Sequence, residues 1–368
     1  METAHVNQEV IAEIRGAAGL LTLNRPRALN ALSLDMVRDL TAALLAWRDD
    51  PRVQLVALRG TGREGPFGAL CAGGDIRFFH AAALSGDVRT EDFFTEEYTL
   101  NHLVHGYPKP YVVFMDGVAM GGGMGISGHG GANTLRIVTA RTKMAMPETG
   151  IGLFPDVGGG WFLARCPGHL GEYLALTGQV MGAVDALAAG LADGELPVDA
   201  LAAAWDGLAS DGTAGLAALR ERLARPAAES GLLAPHRQAI DRFFGLPTVG
   251  AIVAALEAED LPWARETAAL LRKRSPLMLH VTLEQVRRAR GLALAEDLRM
   301  ERDLVRNCFQ LRRGADSETV EGIRALAIDK DHAPRWNPAR IEDVTPAMVA
   351  AFFESPWPAH AHPLRGLV

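Results

Sequence analysis

Two carboxylates in an otherwise uncharged stretch are the side chains best suited to do chemistry. Glu148 and Asp156, eight positions apart, lie in the run P-E-T-G-I-G-L-F-P-D-V-G-G-G at 147–160, which contains no Lys or Arg. Carboxyl groups among apolar residues can have raised pKa values, which suits proton transfer near neutral pH. The alternative is an exposed loop that carries two solubilising acids.

Two glycine-rich turns, each of which follows a predicted strand, are the second chemical signal. They are C-A-G-G-D at 71–75 and M-G-G-G-M-G at 120–125. Glycine permits positive φ and a close approach of the backbone to a ligand. Two amides from separate turns that converge on one point would form an oxyanion hole. The alternative is that both turns are only tight connections.

The second turn overlaps a G-x-G-x-x-G pattern at 123–128, which is a signature of dinucleotide binding. Its context argues against that function. Further glycines follow where a long helix should begin, and Lys143 stands where an acid should hold the ribose. We therefore expect no nicotinamide or flavin site.

Alternating strand and helix patterns predict the scaffold that carries these residues. Apolar and polar residues alternate as in a hairpin, and helical spacing begins behind Ser33, a plausible N-cap. The predicted strands are 9–14, 19–23, 53–58 and 111–115, and the predicted helices are one behind Ser33, a short one after Asp75 and one over 91–107. This order predicts an α/β fold with a mostly parallel sheet.

The chain changes character after about residue 190. Alanine-rich and charged helical patterns with few strand signals occupy 197–313, and arginines there are interleaved with acids. The arginines are Arg287, Arg288, Arg290, Arg299, Arg302, Arg306, Arg312 and Arg313, and the acids are Glu284, Glu296, Asp297, Glu301 and Asp303. Such interleaving is typical of a solvated helix face. We predict two domains, 1–195 with the active site and 196–368.

In stretches spread over nearly the whole chain, the sequence resembles the crotonase (enoyl-CoA hydratase/isomerase) superfamily and, within it, the 3-hydroxyisobutyryl-CoA hydrolase branch. The stretches are N-R-P-R-A-L-N-A-L-S at 24–33, C-A-G-G-D-I-R at 71–77, E-E-Y-T-L-N at 96–101, K-P-Y at 109–111, M-G-G-G-M-G at 120–125, A-M-P-E-T-G-I-G-L-F-P-D-V-G-G-G at 145–160, L-A-L-T-G at 174–178 and A-I-D-K-D-H-A-P-R-W at 327–336. The run at 145–160 is highly specific.

The resemblance implies a crotonase-type spiral of ββα turns, a helical C-terminal region that covers the CoA site, and an acyl-CoA thioester as the substrate. It implies that the amides of Gly74 and Gly122 polarise the thioester carbonyl and that Glu148 and Asp156 are catalytic. The substrate-binding residues that it implies are Glu97, Ala72, Asp75, Arg25, Arg27 and Lys330. CoA is part of the substrate, so neither a separate cofactor nor a metal is expected.

The three cations in that set matter because CoA is anionic. The chain has 37 basic and 44 acidic residues, a net charge of −7, so attraction must be local. Arg25 and Arg27 lie in the loop expected to close the first hairpin. Lys330 lies near the C-terminus, which in this superfamily folds back over the cofactor. The alternative for Lys330 is that it balances Asp329 and Asp331 on the surface.

One departure from the superfamily pattern bears on the reaction. Enoyl-CoA hydratases usually carry a second glutamate two residues after the triple glycine, where this sequence has Gly125. The hydrolase branch has glycine there and gains the acid at 156. The pattern therefore favours thioester hydrolysis over hydration. The resemblance implies a short, branched, β-hydroxylated acyl chain such as that of 3-hydroxyisobutyryl-CoA, an intermediate of valine catabolism. The alternatives are an enoyl-CoA hydratase or isomerase and a non-catalytic CoA-binding protein, and the slightly long segment 129–142 bears on which acyl chain fits.

Composition argues against several other classes of protein. The net charge of −7 provides no global field for nucleic acid. No run of about 18 consecutive apolar residues predicts a membrane span. Cys71, Cys166 and Cys308 lack the spacing of a metal site. The N-terminus has early acids and no apolar stretch, so we expect no signal peptide and a cytoplasmic location; a homo-oligomer stays open.

Overall fold

The computed structural model describes residues 8–368, so the first seven residues of the predicted leaderless N-terminus lie outside the described part. The strands are β1 (Val10–Arg15), β2 (Ala18–Leu23), β3 (Leu55–Gly60), β4 (Tyr111–Met115), β5 (Val118–Met120), β6 (Thr134–Val138), β7 (Lys143–Ala145) and β8 (Gly194–Glu195). The α-helices are α1 (Leu34–Arg48), α2 (Ile76–Ser85), α3 (Arg89–His105), α4 (Gly122–Gly125), α5 (Gly159–Leu163), α6 (Leu170–Thr177), α7 (Ala183–Ala188), α8 (Leu201–Arg222), α9 (Arg237–Phe244), α10 (Val249–Ala258), α11 (Pro262–Leu271), α12 (Pro276–Ala289), α13 (Leu294–Gln310), α14 (Glu318–Ile323) and α15 (Pro346–Phe352). No helix among residues 8–368 is long and apolar enough to cross a membrane.

The main sheet has six strands in the order β1-β2-β3-β4-β6-β8. β1 and β2 pair antiparallel, and every later pairing in this sheet is parallel. The predicted α/β class and the mostly parallel sheet are therefore confirmed. β5 and β7 form a separate two-stranded sheet.

The first hairpin differs from its prediction in two respects. β1 lies at the sheet edge and only Val10 is buried, whereas every residue of β2 is buried, so neither strand shows two alternating faces. The pairing ends at Arg15 opposite Ala18, so Gly16 and Ala17 form the turn. The loop with Arg25 and Arg27 therefore follows the hairpin and does not close it.

Both faces of the parallel strands are covered, as is usual for parallel sheets. On one face, alternate residues of neighbouring strands pack with α8 in a single apolar core. Its largest members include Phe114 from β4 and Trp205 from α8, both buried. On the other face, Val56 and Leu58 of β3 are equally buried. A sheet buried on both sides holds rigidly the turns that leave its strand ends.

The predicted N-cap of α1 is confirmed. Ser33 has an extended backbone, and its Oγ accepts a hydrogen bond from the Met36 amide at 3.2 Å. The buried residues Val37, Leu40 and Leu44 follow at helical spacing. The cap therefore fixes where the first helix begins.

Replacement of Ser33 by Ala is expected to lower the free energy of unfolding by about 1 kcal/mol, because the Met36 amide loses its acceptor. Urea unfolding measures the loss. Ser33→Thr keeps an accepting hydroxyl and is expected to retain most of the stability. An unchanged midpoint for Ser33→Ala would contradict the capping role.

The described chain forms two compact units, each built from separate segments. The first contains the residues up to Gly74, Leu100–Met144 and Met181–Leu232, and it holds the six-stranded sheet. The second contains Asp75–Thr99, Ala145–Val180 and Leu233–Val368. The predicted boundary at residue 195 cuts the sequence once, whereas the segments of the two units alternate along the sequence. The predicted boundary therefore stays a prediction.

The helical region predicted over 197–313 is confirmed, since α8 to α13 occupy most of it. The predicted solvated face is wrong for part of α13. Asp297 and Glu301 are 0% exposed and Arg302 is 1% exposed. The guanidinium of Arg302 is bound by Thr95 and Glu91. Interleaved acids and arginines show only that a segment is rich in both charges. The position of each residue around the axis of α13 decides which charged side chains face the interior.

Candidate active site

The two glycine-rich turns start from paired backbone positions. Cys71 forms a parallel bridge with Ala119, in which the Met120 amide donates to the Cys71 carbonyl at 2.9 Å. The Ala72 amide donates to the Leu29 carbonyl at 3.0 Å, which fixes the first turn from its other side. The bridge pairs the residues that stand just before each turn, so the two turns start side by side.

The amides of Gly74 and Gly122 are available to a ligand. Neither donates a backbone hydrogen bond within the part of the chain that the structure describes. A Cβ added to Gly73, whose φ is +105°, would lie 3.8 Å from the Gly122 nitrogen, so the turns are in contact. A Cβ on Gly123 would lie 2.4 Å from the Cys71 carbonyl oxygen, so the close approach requires glycine. Two adjacent amides of this kind can stabilise an oxyanion.

Three carboxyl groups form a buried cluster in the second unit. Glu148 begins a 3₁₀ helix (Glu148–Ile151), Asp156 follows five residues after that helix ends, and Glu97 lies on α3. Glu148 and Asp156 are each 6% exposed and Glu97 is 2% exposed. The exposed-loop alternative for the two acids is therefore excluded.

A tyrosine binds one member of this carboxyl cluster. The Tyr98 hydroxyl donates to Oδ2 of Asp156 at 2.9 Å, and the tyrosine ring is fully buried. Burial, assisted by repulsion from Asp156, raises the pKa of Tyr98, so the phenol stays protonated and donates. The Tyr98 hydroxyl thus holds one carboxyl oxygen of Asp156 in place through a hydrogen bond.

Burial favours the protonated form of each carboxyl group in the cluster. It raises the pKa of Asp156 to about 6, and the hydrogen bond from Tyr98 limits the rise. Burial and then repulsion from Asp156 raise the pKa of Glu148 well above its ordinary value. Burial, followed by repulsion from Asp156 and Glu148, does the same for the pKa of Glu97. Such pKa values suit acid–base chemistry at neutral pH.

Two oxygens of the cluster have no partner in the described chain. They are Oε1 of Glu97 and Oε2 of Glu148, and both are inaccessible to solvent. Buried polar atoms are normally hydrogen-bonded. These oxygens can therefore accept hydrogen bonds from a water molecule or a substrate hydroxyl.

Tyr98 and Asn101 were not predicted as site residues, although both lie in the E-E-Y-T-L-N stretch at 96–101. Asn101 is 0% exposed, and neither polar atom of its amide is hydrogen-bonded to a residue among 8–368. It follows Glu97 by one turn of α3, so the two share a helix face. That i, i+4 spacing of polar residues is the signal that could have singled out Asn101.

Of the residues predicted to contact CoA, some already have hydrogen-bond or ion-pair partners in the protein. Arg25 is half-buried, and its guanidinium binds Glu9 at 3.2 Å and the Ala31 carbonyl at 3.1 Å. Asp75 caps α2, accepting from the Arg77 and Phe78 amides. The exposed Arg27 forms no ion pair with a described residue.

Lys330 is exposed and does not balance its neighbouring acids. Asp329 and Asp331 both bind the Nη1 of Arg324, at 2.6 and 2.7 Å, and Glu321 binds the same guanidinium. Lys330 itself makes no ion pair within residues 8–368 and has a φ of +58°. Its ammonium group is therefore available to an anion.

An α/β fold with two free amides in adjacent glycine turns and a buried cluster of carboxyl groups defines a class of protein. Comparison of the sequence with known protein families identifies that class. The profile of the family described as enoyl-CoA hydratase/isomerase matches residues 18–353. The chain belongs to this family, and the predicted resemblance is confirmed.

Individual relatives match over nearly their whole length. The mitochondrial 3-hydroxyisobutyryl-CoA hydrolase of Rattus norvegicus is 40% identical, with 94% of this chain and 89% of the relative covered. A probable 3-hydroxyisobutyryl-CoA hydrolase of Arabidopsis thaliana is 38% identical, with 94% and 91% covered. The crystal structure of a carnitinyl-CoA dehydratase from Mycobacterium thermoresistibile is 42% identical with a TM-score of 0.86, covering 96% of this chain and 98% of that one. These relatives are named for two different reactions.

Proposed function

We propose that the protein hydrolyses a CoA thioester, 3-hydroxyisobutyryl-CoA, to 3-hydroxyisobutyrate and CoA. The observation that carries the proposal is the buried pair Glu148 and Asp156, the latter fixed by Tyr98, with glycine at 125. The relatives named as 3-hydroxyisobutyryl-CoA hydrolases support the choice of substrate.

In the proposed reaction, the amides of Gly74 and Gly122 bind the oxygen that becomes negative when the thioester carbonyl is attacked. Each such donor contributes about 10²–10³ in rate. Glu148 acts by one of two routes. As a general base it takes a proton from the attacking water; as a nucleophile it forms a mixed anhydride, expels the CoA thiolate and is then released by water. In both routes the C–S bond breaks and the thiolate takes up a proton.

The two routes differ in where the oxygen of water goes. In a single turnover in ¹⁸O-labelled water, label enters the Glu148 carboxyl group only by the anhydride route, when water attacks the Glu148 carbonyl carbon of the anhydride. The general-base route places label only in the product acid. Asp156 orients the water or the 3-hydroxyl and shares the proton transfer in either case.

The rival function is hydration of an enoyl-CoA, which the name of a similar crystal structure, an enoyl-CoA hydratase from Rhodobacter sphaeroides, favours. Gly125 opposes it, because the second acid of the hydratase pattern is missing. Release of free thiol from 3-hydroxyisobutyryl-CoA is expected. Loss of enoyl absorbance from crotonyl-CoA without thiol release would establish the hydratase, and neither signal would leave a CoA-binding protein.

The activity is expected to fall as the pH is lowered, with a midpoint at or above about 6, because burial holds the pKa of Asp156 near that value and that of Glu148 well above its ordinary value. Asp156→Asn removes the repulsion that helps raise the pKa of Glu148. The ionised form of Glu148 is then favoured, so the acidic limb of the residual activity should move to lower pH. A pH profile of kcat/KM checks the direction, and a limb that stays or moves upward contradicts it.

Lys330→Ala is expected to raise the KM for the acyl-CoA by roughly fivefold, the effect of one exposed ion pair of about 1 kcal/mol. Because a phosphate contact is equal in the ground and transition states, kcat should stay nearly unchanged. Lys273→Ala, which removes an equally exposed charge, is the matched control. The defect should shrink with dephospho-CoA thioesters, and an unchanged KM at low and moderate salt would remove Lys330 from the CoA site.

The cytoplasmic location and a homo-oligomeric state remain proposals. The animal relatives are named as mitochondrial, so their names do not support a cytoplasmic location here. Gel filtration of the purified protein tests the oligomer.

A further inference from the structure

A buried glutamate on α13 binds the chain immediately after Asp156. Oε2 of Glu301 accepts a hydrogen bond from the Gly158 amide at 2.7 Å. Oε1 of Glu301 accepts one from the Gly160 amide at 2.9 Å. A single carboxyl group thus holds the first turn of α5, which starts three residues after Asp156.

Two further side chains extend this network. The Nε2 of Gln285 on α12 donates to the Pro155 carbonyl at 2.7 Å and to Oε1 of Glu301 at 3.0 Å. Asp297, one helical turn before Glu301, accepts a hydrogen bond from the Trp161 amide at 2.9 Å. The backbone is therefore bound on both sides of the aspartate.

The bound segment has an unusual backbone. Val157 and Gly158 have φ values of +56° and +84°, so two successive residues are left-handed. For a β-branched residue such a conformation is strained and persists only where its surroundings enforce it. Successive amides in such a turn form a concavity that binds anions. Here the carboxyl group of Glu301 accepts from these amides.

Burial of the two acids of this network, Asp297 and Glu301, is unfavourable for the stability of the fold. Asp297 and Glu301 are 0% exposed, and neither forms an ion pair with a residue among 8–368. Burial raises the pKa of Asp297 to about 7, and burial with repulsion from Asp297 raises the pKa of Glu301. Arg165 lowers the pKa of Asp297 only in part, and buried acids destabilise a fold unless their hydrogen bonds compensate. Their contacts concentrate on the segment that carries Asp156.

We infer that Glu301 is a positioning residue for Asp156: its carboxyl group holds the left-handed turn that aims the aspartate, and it affects hydrolysis through that side chain. The inference rests on the proposed function. A catalytic group displaced by about 1 Å can lose roughly 10² in rate. A strained turn that follows the aspartate directly would otherwise relax and move it.

Glu301→Gln tests the inference, because it keeps the volume but replaces an accepting oxygen by an NH₂ group that faces a backbone amide. We expect kcat to fall about 10²-fold, with KM within about twofold. In the Asp156→Asn background, the same change should lower kcat less than about threefold, since the positioned group is already lost. Glu296→Gln, an exposed position on the same helix, is the control and should stay within about twofold.

Equal effects of Glu301→Gln in the two backgrounds would overturn the positioning role. If that variant does not fold, Gln285→Leu removes the hydrogen bonds to Pro155 and to Glu301 but leaves the Glu301 carboxyl group in place. It is expected to show the same dependence on Asp156 at a smaller size. Additive effects of Gln285→Leu and Asp156→Asn would overturn it as well. Absence of thiol release by the unaltered protein would contradict both proposals, whereas release with additive effects contradicts only this one.

Discussion

Glu148→Gln is expected to lower thioester hydrolysis by at least about 10²–10⁴-fold, the contribution of a general base. The amide has the shape of the carboxyl group but neither takes a proton from water nor attacks the thioester carbon. Since the side chain is 6% exposed, solvent cannot replace it freely. Thiol release under saturating substrate measures the loss in kcat, and binding of CoA is expected to persist.

The stability of the same variant separates lost chemistry from lost folding. Burial raises the pKa of Glu148 in the folded protein above its unfolded value, so the folded state binds more protons. Stability then falls as pH rises above the unfolded pKa, because the buried group must ionise. The amide in Glu148→Gln does not ionise, so at pH 8 this variant should unfold at the same or a higher temperature. Hydrolysis near the unaltered rate would overturn the assigned role, and low activity with a lowered unfolding temperature would show misfolding instead.

Local sequence signals predicted most of the scaffold. Ser33 and the apolar spacing behind it located α1, and the short apolar runs located β3 and β4 to within two residues. These features depend on neighbours in the chain, which is why periodicity and capping residues suffice. The strand predicted at 9–14 is present as β1, but its residues do not alternate between buried and exposed. The exposure of a strand depends on its place in the sheet, which its own residues do not encode.

The residues of the candidate site likewise divide into those that the sequence predicts and those that it does not. The glycine turns and the acids Glu148 and Asp156 stand out in the sequence, because each is unusual among its neighbours. Tyr98 meets Asp156 across 58 positions of the chain, and Glu301 meets Gly158 across 143. The spacing of residues within one segment cannot predict a hydrogen bond to a residue so distant in the sequence. On α13 the buried Glu301 lies among charges that look like a surface, so the composition of the segment predicted the opposite of its environment.

The 3-hydroxyl of the substrate is expected to govern specificity. Oε1 of Glu97 and Oε2 of Glu148 are buried without a partner among the described residues, so a hydroxyl donor would satisfy one of them. Isobutyryl-CoA has the same carbon skeleton without the hydroxyl and would leave that acceptor unpaired. A site built to bind a hydroxyl rejects an analogue that lacks it by roughly 10⁴. We therefore expect kcat/KM for isobutyryl-CoA to be lower by about that factor.

The acceptor itself provides the control for this comparison. Glu97→Leu fills the volume with apolar atoms and removes the unpaired oxygen, so the cost of leaving it unpaired disappears. If Glu97 binds the hydroxyl, kcat/KM for 3-hydroxyisobutyryl-CoA should fall in this variant while that for isobutyryl-CoA changes little, and the ratio should narrow. A ratio that stays wide would move the hydroxyl contact to Glu148 or Asp156. Equal turnover of the two thioesters by the unaltered protein would instead identify a general short-chain thioesterase, because a buried acceptor that a hydroxyl satisfies cannot be indifferent to its removal.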